Sequence, residues 1–280
     1  MSVAILGRPY DYILNKLLER NPRHGGIRCF IVGDQGAGKT VLMSWLASMI
    51  RDIYGEDEVI VWRGHFSGQF SAFPSDWIVL HLPKWMKYRF LLLGRGRGAV
   101  RINPERRWRI RYFERNLEEL FYGLELGKIN VIYMDEDFWL DFLCWLPKRP
   151  SREWVSVFFD EIEDIAPAYV AGDAWRLVED LARALKEYRK TLVSMYAATQ
   201  QPQDVDYRVK YKLRQMRIYL KGALVDGRER LTQEAVDNLE VGRGYLCTGG
   251  NFADFTIPDF PWKPLPLNIE PDPYMTSEVK

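Results

Sequence analysis

The sequence predicts an α/β domain in which helices flank a mostly parallel β-sheet. Short apolar segments of strand length alternate with longer segments whose apolar residues recur at helical spacing. A glycine-rich turn follows the first of these strands, and two later strands end in the dipeptide Asp-Glu. Because ligands of such sheets bind at the carboxyl ends of the strands, we expect the functional residues at that edge.

Composition and overall charge point to a globular chain and to no particular partner. The 280 residues suffice for one large domain or two small ones, and a content of 47% hydrophobic and 28% charged residues excludes a disordered chain. The 39 basic residues nearly balance the 38 acidic ones, so the net charge of +1 by itself indicates neither nucleic acid nor membrane. Three separated cysteines without a CxxC pair argue against a disulfide framework or a zinc site.

The sequence shows no segment suited to membrane insertion. No apolar run approaches the roughly 18–20 residues that span a bilayer. The N-terminus also lacks the basic-then-apolar pattern of a signal peptide. We therefore expect a cytoplasmic protein without stable membrane insertion.

The first predicted elements surround the glycine-rich turn. Residues 1–26 contain a short amphipathic helix and a lead-in to the sheet. Residues 27–32 are predicted to form a buried strand, and 58–62 the next one. The helix between them begins at the turn and extends to Ile53, since apolar residues recur along one of its faces.

The alternation of strands and helices weakens over residues 64–128 and then returns. We interpret 64–128 as an insertion with strands at 77–82 and 90–93 and a helix at 114–126. Apolar runs after it predict strands at 130–134, 155–159, 191–198 and 216–220, with a helix over 173–189.

Residues 33–40, with the sequence GDQGAGKT, match the phosphate-binding pattern GxxxxGK[ST] in full. Its glycines let backbone N–H groups converge on phosphate oxygens, Lys39 reaches the β- and γ-phosphates, and Thr40 ligates Mg²⁺. The following helix directs its positive end at the nucleotide. An ordinary glycine-rich turn is the alternative, which the flanking strand and helix disfavour. The predicted nucleotide-binding residues are Gly33, Asp34, Gln35, Gly36, Ala37, Gly38, Lys39, Thr40 and Val41.

The predicted nucleotide is ATP, bound with Mg²⁺. A GTPase would usually carry an NKxD motif after a later strand. The only similar dipeptide, Asn15-Lys16, precedes the loop and is followed by two leucines.

Two strand ends offer the acidic residues that hydrolysis needs, a carboxylate for the Mg²⁺ shell and a glutamate that polarises the attacking water. The strand after Asp160-Glu161 ends in neutral polar residues, whereas the strand after Asp135-Glu136 ends in two carboxylates, which would repel phosphate. We therefore predict Asp160 as a Mg²⁺ ligand and Glu161 as the base, and interpret Asp135-Glu136 as a solvated strand end.

Gln200 is the predicted sensor of the γ-phosphate or of the attacking water. It follows a buried strand whose tip should lie beside the nucleotide. The alternative interpretation is a polar turn formed with Gln201 and Pro202.

Four segments together resemble the FtsK/HerA superfamily of P-loop DNA-pumping ATPases. In that family, one helix separates the acidic strand from the next apolar strand, which ends in A-T-Q-x-P. The segments are GDQGAGKT (33–40), VFFDE (157–161), EYRK (187–190) and LVSMYAATQQPQDVD (192–206), and KGALVDGRERLTQEAVDNLEVGRGYL (221–246) is also reminiscent. The resemblance covers roughly residues 27–257 and implies a P-loop NTPase fold of the RecA/ASCE-like type.

The resemblance divides the chain into three parts. Residues 1–26 are the N-terminal helix and lead-in, and 27–257 are the P-loop ATPase domain with the insertion at about 64–128. Residues 258–280 are a proline-rich tail that runs over a surface or reaches a neighbour. The chain looks like a minimal ATPase core of the viral or mobile-element type, which would place it in the host cytoplasm if it is viral.

The resemblance also implies a ring, commonly a hexamer, with ATP bound between subunits. A neighbouring subunit would supply an arginine to the phosphoryl group. Arg189 and Arg208, which flank the predicted sensor strand, are the candidates. The alternative is that these arginines pair with carboxylates or face solvent.

Residues 84–115 hold eleven basic residues against two acidic ones, which gives this segment a charge of +9. Tryptophans and tyrosines lie between the cations, a combination that suits contact with phosphates and bases. The alternative is a solvated face that meets acidic residues across a subunit interface. The predicted DNA contacts are Arg95, Arg97, Arg107 and Arg109.

The leading hypothesis is an oligomeric ATPase that translocates or packages DNA, with double-stranded DNA as the expected partner. A second hypothesis is a phage-assembly ATPase related to zonula occludens toxin, which extrudes single-stranded DNA. Such proteins normally need a membrane segment, and none is predicted here. A third is a regulator that binds nucleotide without hydrolysis, against which Glu161 argues because a passive binder needs no base.

Overall fold

The computed structural model describes residues 12–94, 98–227 and 229–272. These residues form one large sheet of ten strands with helices on both faces, and a second sheet of three strands. The predicted α/β class with a mostly parallel sheet is thereby confirmed. The strands are β1 (Arg28–Val32), β2 (Glu58–Arg63), β3 (Ile78–Pro83), β4 (Tyr88–Leu93), β5 (Ala99–Ile102), β6 (Arg109–Phe113), β7 (Ile129–Ile132), β8 (Trp154–Phe159), β9 (Val193–Thr199), β10 (Met216–Leu220), β11 (Arg243–Thr248), β12 (Asn251–Thr256) and β13 (Leu267–Pro271).

Helices cover both faces of the large sheet. They are α1 (Tyr12–Leu18), α2 (Lys39–Tyr54), α3 (Leu117–Tyr122), α4 (Glu136–Trp145), α5 (Asp173–Tyr188), α6 (Tyr207–Leu213) and α7 (Gln233–Asp237). The apolar sides of α1 and α2 pack on one face, and those of α4, α5 and α6 pack on the other. Since side chains alternate along a strand, β1 sends Ile31 to the first face and Val32 to the second.

The order of strands decides which loops meet. It is β12-β11-β10-β1-β9-β8-β2-β7-β3-β6. Every strand from β10 to β6 runs parallel to its neighbours, whereas β11 and β12 are antiparallel. Strand β9 therefore lies between β1 and β8, and the loops after these three strands lie at one edge.

The region interpreted as an insertion contributes to both sheets. Its strands β3 and β6 extend the large sheet, while β4 and β5 join the small one. The proline-rich tail returns to this region, because β13 pairs antiparallel with β4. The rings of Trp77 and Trp262 also meet edge to face, 5.1 Å apart.

A buried ion pair links the start of the chain to the middle of the sheet. Arg20, just after α1, contacts the Glu58 carboxylate at 2.7 and 3.0 Å and the Ser156 hydroxyl at 2.9 Å. The side chains of Arg20 and Glu58 are 4% and 0% exposed. Because β2 and β8 supply the acceptors, this one guanidinium ties the N-terminal segment to two adjacent strands.

We expect Arg20→Met to lower the free energy of unfolding by about 3–5 kcal/mol, because it leaves the Glu58 carboxylate buried and unpaired. The double variant Arg20→Met/Glu58→Met should recover much of the loss, since it removes both charges. Urea unfolding followed by circular dichroism measures both effects.

The matched control is Arg183→Met, which removes an arginine whose side chain is 71% exposed and pairs with Glu179 on α5. Such an exposed pair is worth about 0–1 kcal/mol. Equal losses in Arg20→Met and Arg183→Met would contradict the role given to the buried pair.

Candidate functional site

The glycine-rich loop connects β1 to α2 at the carboxyl edge of the sheet. Gly36 and Gly38 adopt left-handed φ values of 78° and 105°. A Cβ on Gly38 would also lie only 2.8 Å from the Ile257 side chain, so glycine is required there. Helix α2 begins without a side-chain cap, which leaves its first N–H groups available to an anion.

Lys39 lies folded over this loop. Its Nζ donates to the carbonyl oxygens of Gly33 at 2.7 Å and Asp34 at 3.0 Å. Burial lowers the pKa of Lys39, while the nearby carboxylates oppose that shift. The ammonium group therefore sits inside the loop that is predicted to bind phosphate. Of the other predicted nucleotide contacts, Ala37 is buried, whereas Asp34, Gln35, Gly36 and Val41 are exposed.

Asp160 meets the phosphate-binding loop directly. The Thr40 hydroxyl donates a hydrogen bond of 3.2 Å to Asp160 Oδ2. A hydroxyl and a carboxylate at this separation, beside a helix N-terminus, are the oxygen ligands that Mg²⁺ prefers. The two residues fit the predicted magnesium site.

Asp135 has a different role in the structure. Its carboxylate caps α4 by accepting from the Phe138 N–H at 2.9 Å, and it also accepts from Trp85 Nε1 at 3.3 Å. Strand β7, which precedes it, is four strands from β1, or about 19 Å at roughly 4.8 Å per strand. Asp135 is thus too distant to complete the loop's magnesium site.

Glu161 follows Asp160 in an unusual backbone conformation. Its φ of 56° is left-handed, which is rare for a residue with a side chain. Arg63 Nη1 donates to the carbonyl oxygens of Asp160 at 2.7 Å and Glu161 at 3.1 Å. His65 Nε2 lies 2.8 Å from Glu161 Oε2. This hydrogen bond lowers the pKa of the Glu161 carboxyl, partly offset by its burial.

The tip of β9 lies between the loop and the acidic residues. The buried Thr199 hydroxyl accepts from the Gln201 N–H at 3.2 Å, while the Gln200 side chain is exposed. Nearby, burial raises the pKa of Glu163. The strand order places Gln200 at the tip of β9, between β1 and β8.

The two candidate arginines lie at opposite edges of the sheet. Arg189 precedes β9, and its carbonyl oxygen accepts from the Gly26 N–H at 3.2 Å, at the amino edge. Arg208 begins α6 at the carboxyl edge, where its Nη2 contacts Asp206 Oδ2 at 2.9 Å. The guanidinium of Arg208 also lies 4.5 Å from the centre of the Trp175 ring.

Much of the basic segment is neutralised within the chain. Arg107 lies over the Trp108 ring at 5.6 Å, whereas Arg109 pairs with Glu125 at 2.7 Å. Arg95 and Arg97 lie outside the described residues. Further ion pairs join Lys84 to Glu114, Arg89 to Glu270, Arg101 to Asp272, Arg111 to Glu125 and Arg115 to Asp135.

Sequence reasoning did not identify Arg63 and His65. Both follow the predicted strand 58–62, and their relevance depends on β2 lying beside β8. A polar Arg-Gly-His at the end of a buried strand was the available signal. The sequence does not show that this tripeptide lies beside Glu161, because that depends on β2 pairing with β8.

No family model and no curated protein sequence matches the chain. Its structure is similar to the genome packaging NTPase B204 from Sulfolobus turreted icosahedral virus 2 in complex with sulfate. That alignment has a TM-score of 0.52 and 14% identity, and it covers 85% of this chain and 98% of that one. The same NTPase in complex with AMP aligns with a TM-score of 0.50 and 12% identity, again over 85% and 98%.

A further similar structure is the N-terminal domain of zonular occludens toxin from Neisseria meningitidis, with a TM-score of 0.39, 14% identity, and coverage of 84% of this chain and 96% of that one. That likeness is too low to support an argument. The two alignments to the packaging NTPase show that the chain has the fold of a P-loop NTPase. Within the described ranges, no helix has the length and apolarity needed to cross a membrane.

The structure places Asp160 beside the phosphate-binding loop and Asp135 at the start of α4. We expect Asp160→Ala to abolish Mg²⁺-dependent ATP hydrolysis with little change in stability. Asp135→Ala should leave turnover intact and lower the free energy of unfolding by about 1 kcal/mol, because it removes a helix cap. Phosphate release and urea unfolding of the two variants measure this. Loss of turnover in Asp135→Ala alone would reverse the assignment.

Proposed function

We propose that this chain is an ATP-hydrolysing DNA motor of the FtsK/HerA type, acting as an oligomeric ring in genome packaging or translocation. The observation that carries the proposal is the hydrogen bond between Thr40 and Asp160. It joins a complete phosphate-binding loop to a strand end that also carries Glu161. A passive nucleotide binder would need the loop but not the glutamate.

Each residue of the site has a distinct task in hydrolysis. Lys39 leaves the loop carbonyls to contact the β- and γ-phosphates, and the N–H groups at the start of α2 hold phosphate oxygens. Thr40 and Asp160 hold Mg²⁺, which neutralises charge on the phosphates when bound. Glu161 takes a proton from the attacking water, and Gln200 orients that water or the γ-phosphate.

The structural neighbours support this proposal at the level of the fold. The neighbour with the fold in common is named a genome packaging NTPase, and its solved complexes with sulfate and AMP contain a phosphate-like anion and a nucleotide. An ATP site and a nucleic-acid substrate are the corresponding proposals for this chain. An oligomeric ring, such as a hexamer, would let each subunit complete its neighbour's site.

Arg189 and Arg208 are the proposed arginines that complete a neighbour's site. Arg208 lies at the same edge of the sheet as the phosphate-binding loop and would reach a phosphate of a neighbouring subunit from there. To do so it would have to leave Asp206 and Trp175. Arg189 would have to act across the opposite edge of the sheet.

The proposed DNA surface is formed by the basic segment at the far end of the large sheet. Arg107 is exposed there, just before β6. The side chain of Arg109 is 58% exposed and contacts Glu125. A phosphate would have to compete for Arg109 with Glu125, whose side chain is 17% exposed and also pairs with Arg111. Arg95 and Arg97 are proposed as contacts from the sequence alone.

We expect Glu161→Gln to bind ATP with nearly unchanged affinity and to lower kcat by about 100-fold or more, the usual contribution of a general base. Lys39→Ala should lose nucleotide binding or turnover. A fluorescent ATP analogue and a phosphate-release assay measure the two properties. Turnover like that of the wild type in Glu161→Gln would contradict the role of Glu161 as the base.

The same assay, repeated with double-stranded and single-stranded DNA and combined with native mass, tests the motor. Stimulation by double-stranded DNA in a ring-sized particle supports packaging or translocation of duplex. Stimulation by single-stranded DNA alone favours the extrusion alternative. A monomer that ignores both would contradict the motor.

We expect Arg107→Ala/Arg109→Ala to weaken DNA binding about equally for all sequences. If each arginine contacts one phosphate, the slope of log affinity against log salt should fall by about 1.8, at roughly 0.9 per contact. Arg183→Ala, on the exposed side of α5, is the control and should leave the slope unchanged. Unchanged binding in the double variant would favour a role for this surface between subunits.

A further inference from the structure

The Glu161 carboxylate is turned away from the phosphate-binding loop. Strand β8, which ends just before Asp160 and Glu161, has β9 on the side of the loop and β2 on the other side. Glu161 contacts His65, which follows β2. A base for water attacking the γ-phosphate has to act on the β1 and β9 side, and the Glu161 side chain lies on the opposite side.

A cavity beside the site also places the Glu161 side chain on the β2 side of β8. Its volume is about 540 Å³, and Glu161 and His65 both line it. The other described residues around it include Asp135, Glu136 and Tyr133, which follow β7. Because β7 lies beyond β2, these residues place the cavity on the side of β8 away from the phosphate-binding loop, and Glu161 lines it.

The His65 ring is held in one orientation. The Ser67 N–H donates to His65 Nδ1 at 3.3 Å, and the Ser67 hydroxyl lies 2.9 Å from the same nitrogen. Since Nδ1 accepts that N–H, Nε2 is the nitrogen that carries hydrogen toward Glu161. The Tyr133 hydroxyl donates to the His65 carbonyl oxygen at 3.2 Å, which fixes the backbone as well.

The backbone of Glu161 is held from the same strand. Arg63, the last residue of β2, donates to the carbonyl oxygens of Asp160 and Glu161. Its Nη2 also contacts Asp164 Oδ2 at 2.6 Å. These bonds maintain the left-handed conformation that points the glutamate toward His65.

We propose that His65 is a positioning residue that holds Glu161 withdrawn from the phosphate-binding loop, and that this contact has to break before ATP is hydrolysed. The proposal rests on the proposed function, in which Glu161 is the base. Arg63 maintains the backbone, so the side chain of Glu161 can rotate toward the loop without rebuilding the strand end. His65 thereby limits hydrolysis in the resting protein.

The kinetic test compares His65→Ala with His65→Gln. We expect His65→Ala to raise kcat without DNA by about three- to tenfold, the scale of one partly exposed charge-assisted hydrogen bond, with an unchanged KM for ATP. His65→Gln keeps an N–H donor and should stay within about twofold of the wild type, because the donor and not the ring restrains Glu161.

The matched control is His24→Ala, which removes an exposed histidine 3.9 Å from Glu19 at the other edge of the sheet. It should leave kcat unchanged. A structural role for His65 alone predicts a lower kcat together with a lower melting temperature. An unchanged or lower kcat in His65→Ala, with Glu161→Gln inactive, would overturn the proposal.

A measurement independent of turnover is the ¹H–¹⁵N spectrum of the imidazoles, which is simple because the chain has 3 histidines. Glu161→Ala should move the His65 signals and leave those of His24 and His81 in place. A non-hydrolysable ATP analogue with Mg²⁺ should move them in the same direction in the wild type. His65 signals that ignore both changes overturn the proposal, whereas turnover retained in Glu161→Gln contradicts the proposed function instead.

Discussion

The register of three parallel strands is the constraint on which the site depends. Hydrogen bonds of the sheet set Val32 of β1 level with Thr199 of β9, and Phe159 of β8 level with Ala197 of β9. Asp160 is therefore level with Ile31, two residues or about 6.6 Å along the strands before Gly33, where the phosphate-binding loop begins. The approach of Thr40 to Asp160 follows from this register. A slip of one residue would also send the buried side chains of β9 to the wrong face.

A buried ion pair holds the amino ends of the strands together. Around Arg20, two buried charges satisfy each other and bind a serine hydroxyl, so the amino ends of β2 and β8 are tied together. At the carboxyl edge Asp160 and Glu161 are partly exposed, and a phosphate could replace the loop carbonyls that hold Lys39. Catalysis at strand ends requires a fixed scaffold, which the amino half of the sheet supplies. It also requires side chains at the carboxyl edge that can exchange their hydrogen-bond partners for those of a ligand.

The sequence was most informative where one local signal decides the structure. The phosphate-binding loop and the buried strands around it are contiguous, so their pattern predicts them without knowledge of the fold. Strands β5 and β6 were missed because they are mostly exposed and rich in arginine. His65 could not be assigned, since its meeting with Glu161 depends on β2 pairing with β8, about a hundred residues away in the chain. The charge of the basic segment is likewise reduced by partners as distant as Glu270.

The strand order also constrains how DNA and ATP could affect each other. Strand β6, which carries Arg109, is six strands from β1, or about 29 Å at roughly 4.8 Å per strand, so no direct contact joins the two proposed surfaces. The loop after β2 connects the small sheet to Glu161. Its residue Phe66 accepts a hydrogen bond of 2.8 Å from the Ile269 N–H of β13 in the small sheet, and the adjacent His65 holds Glu161. Movement of the small sheet would therefore reach Glu161 through one short loop.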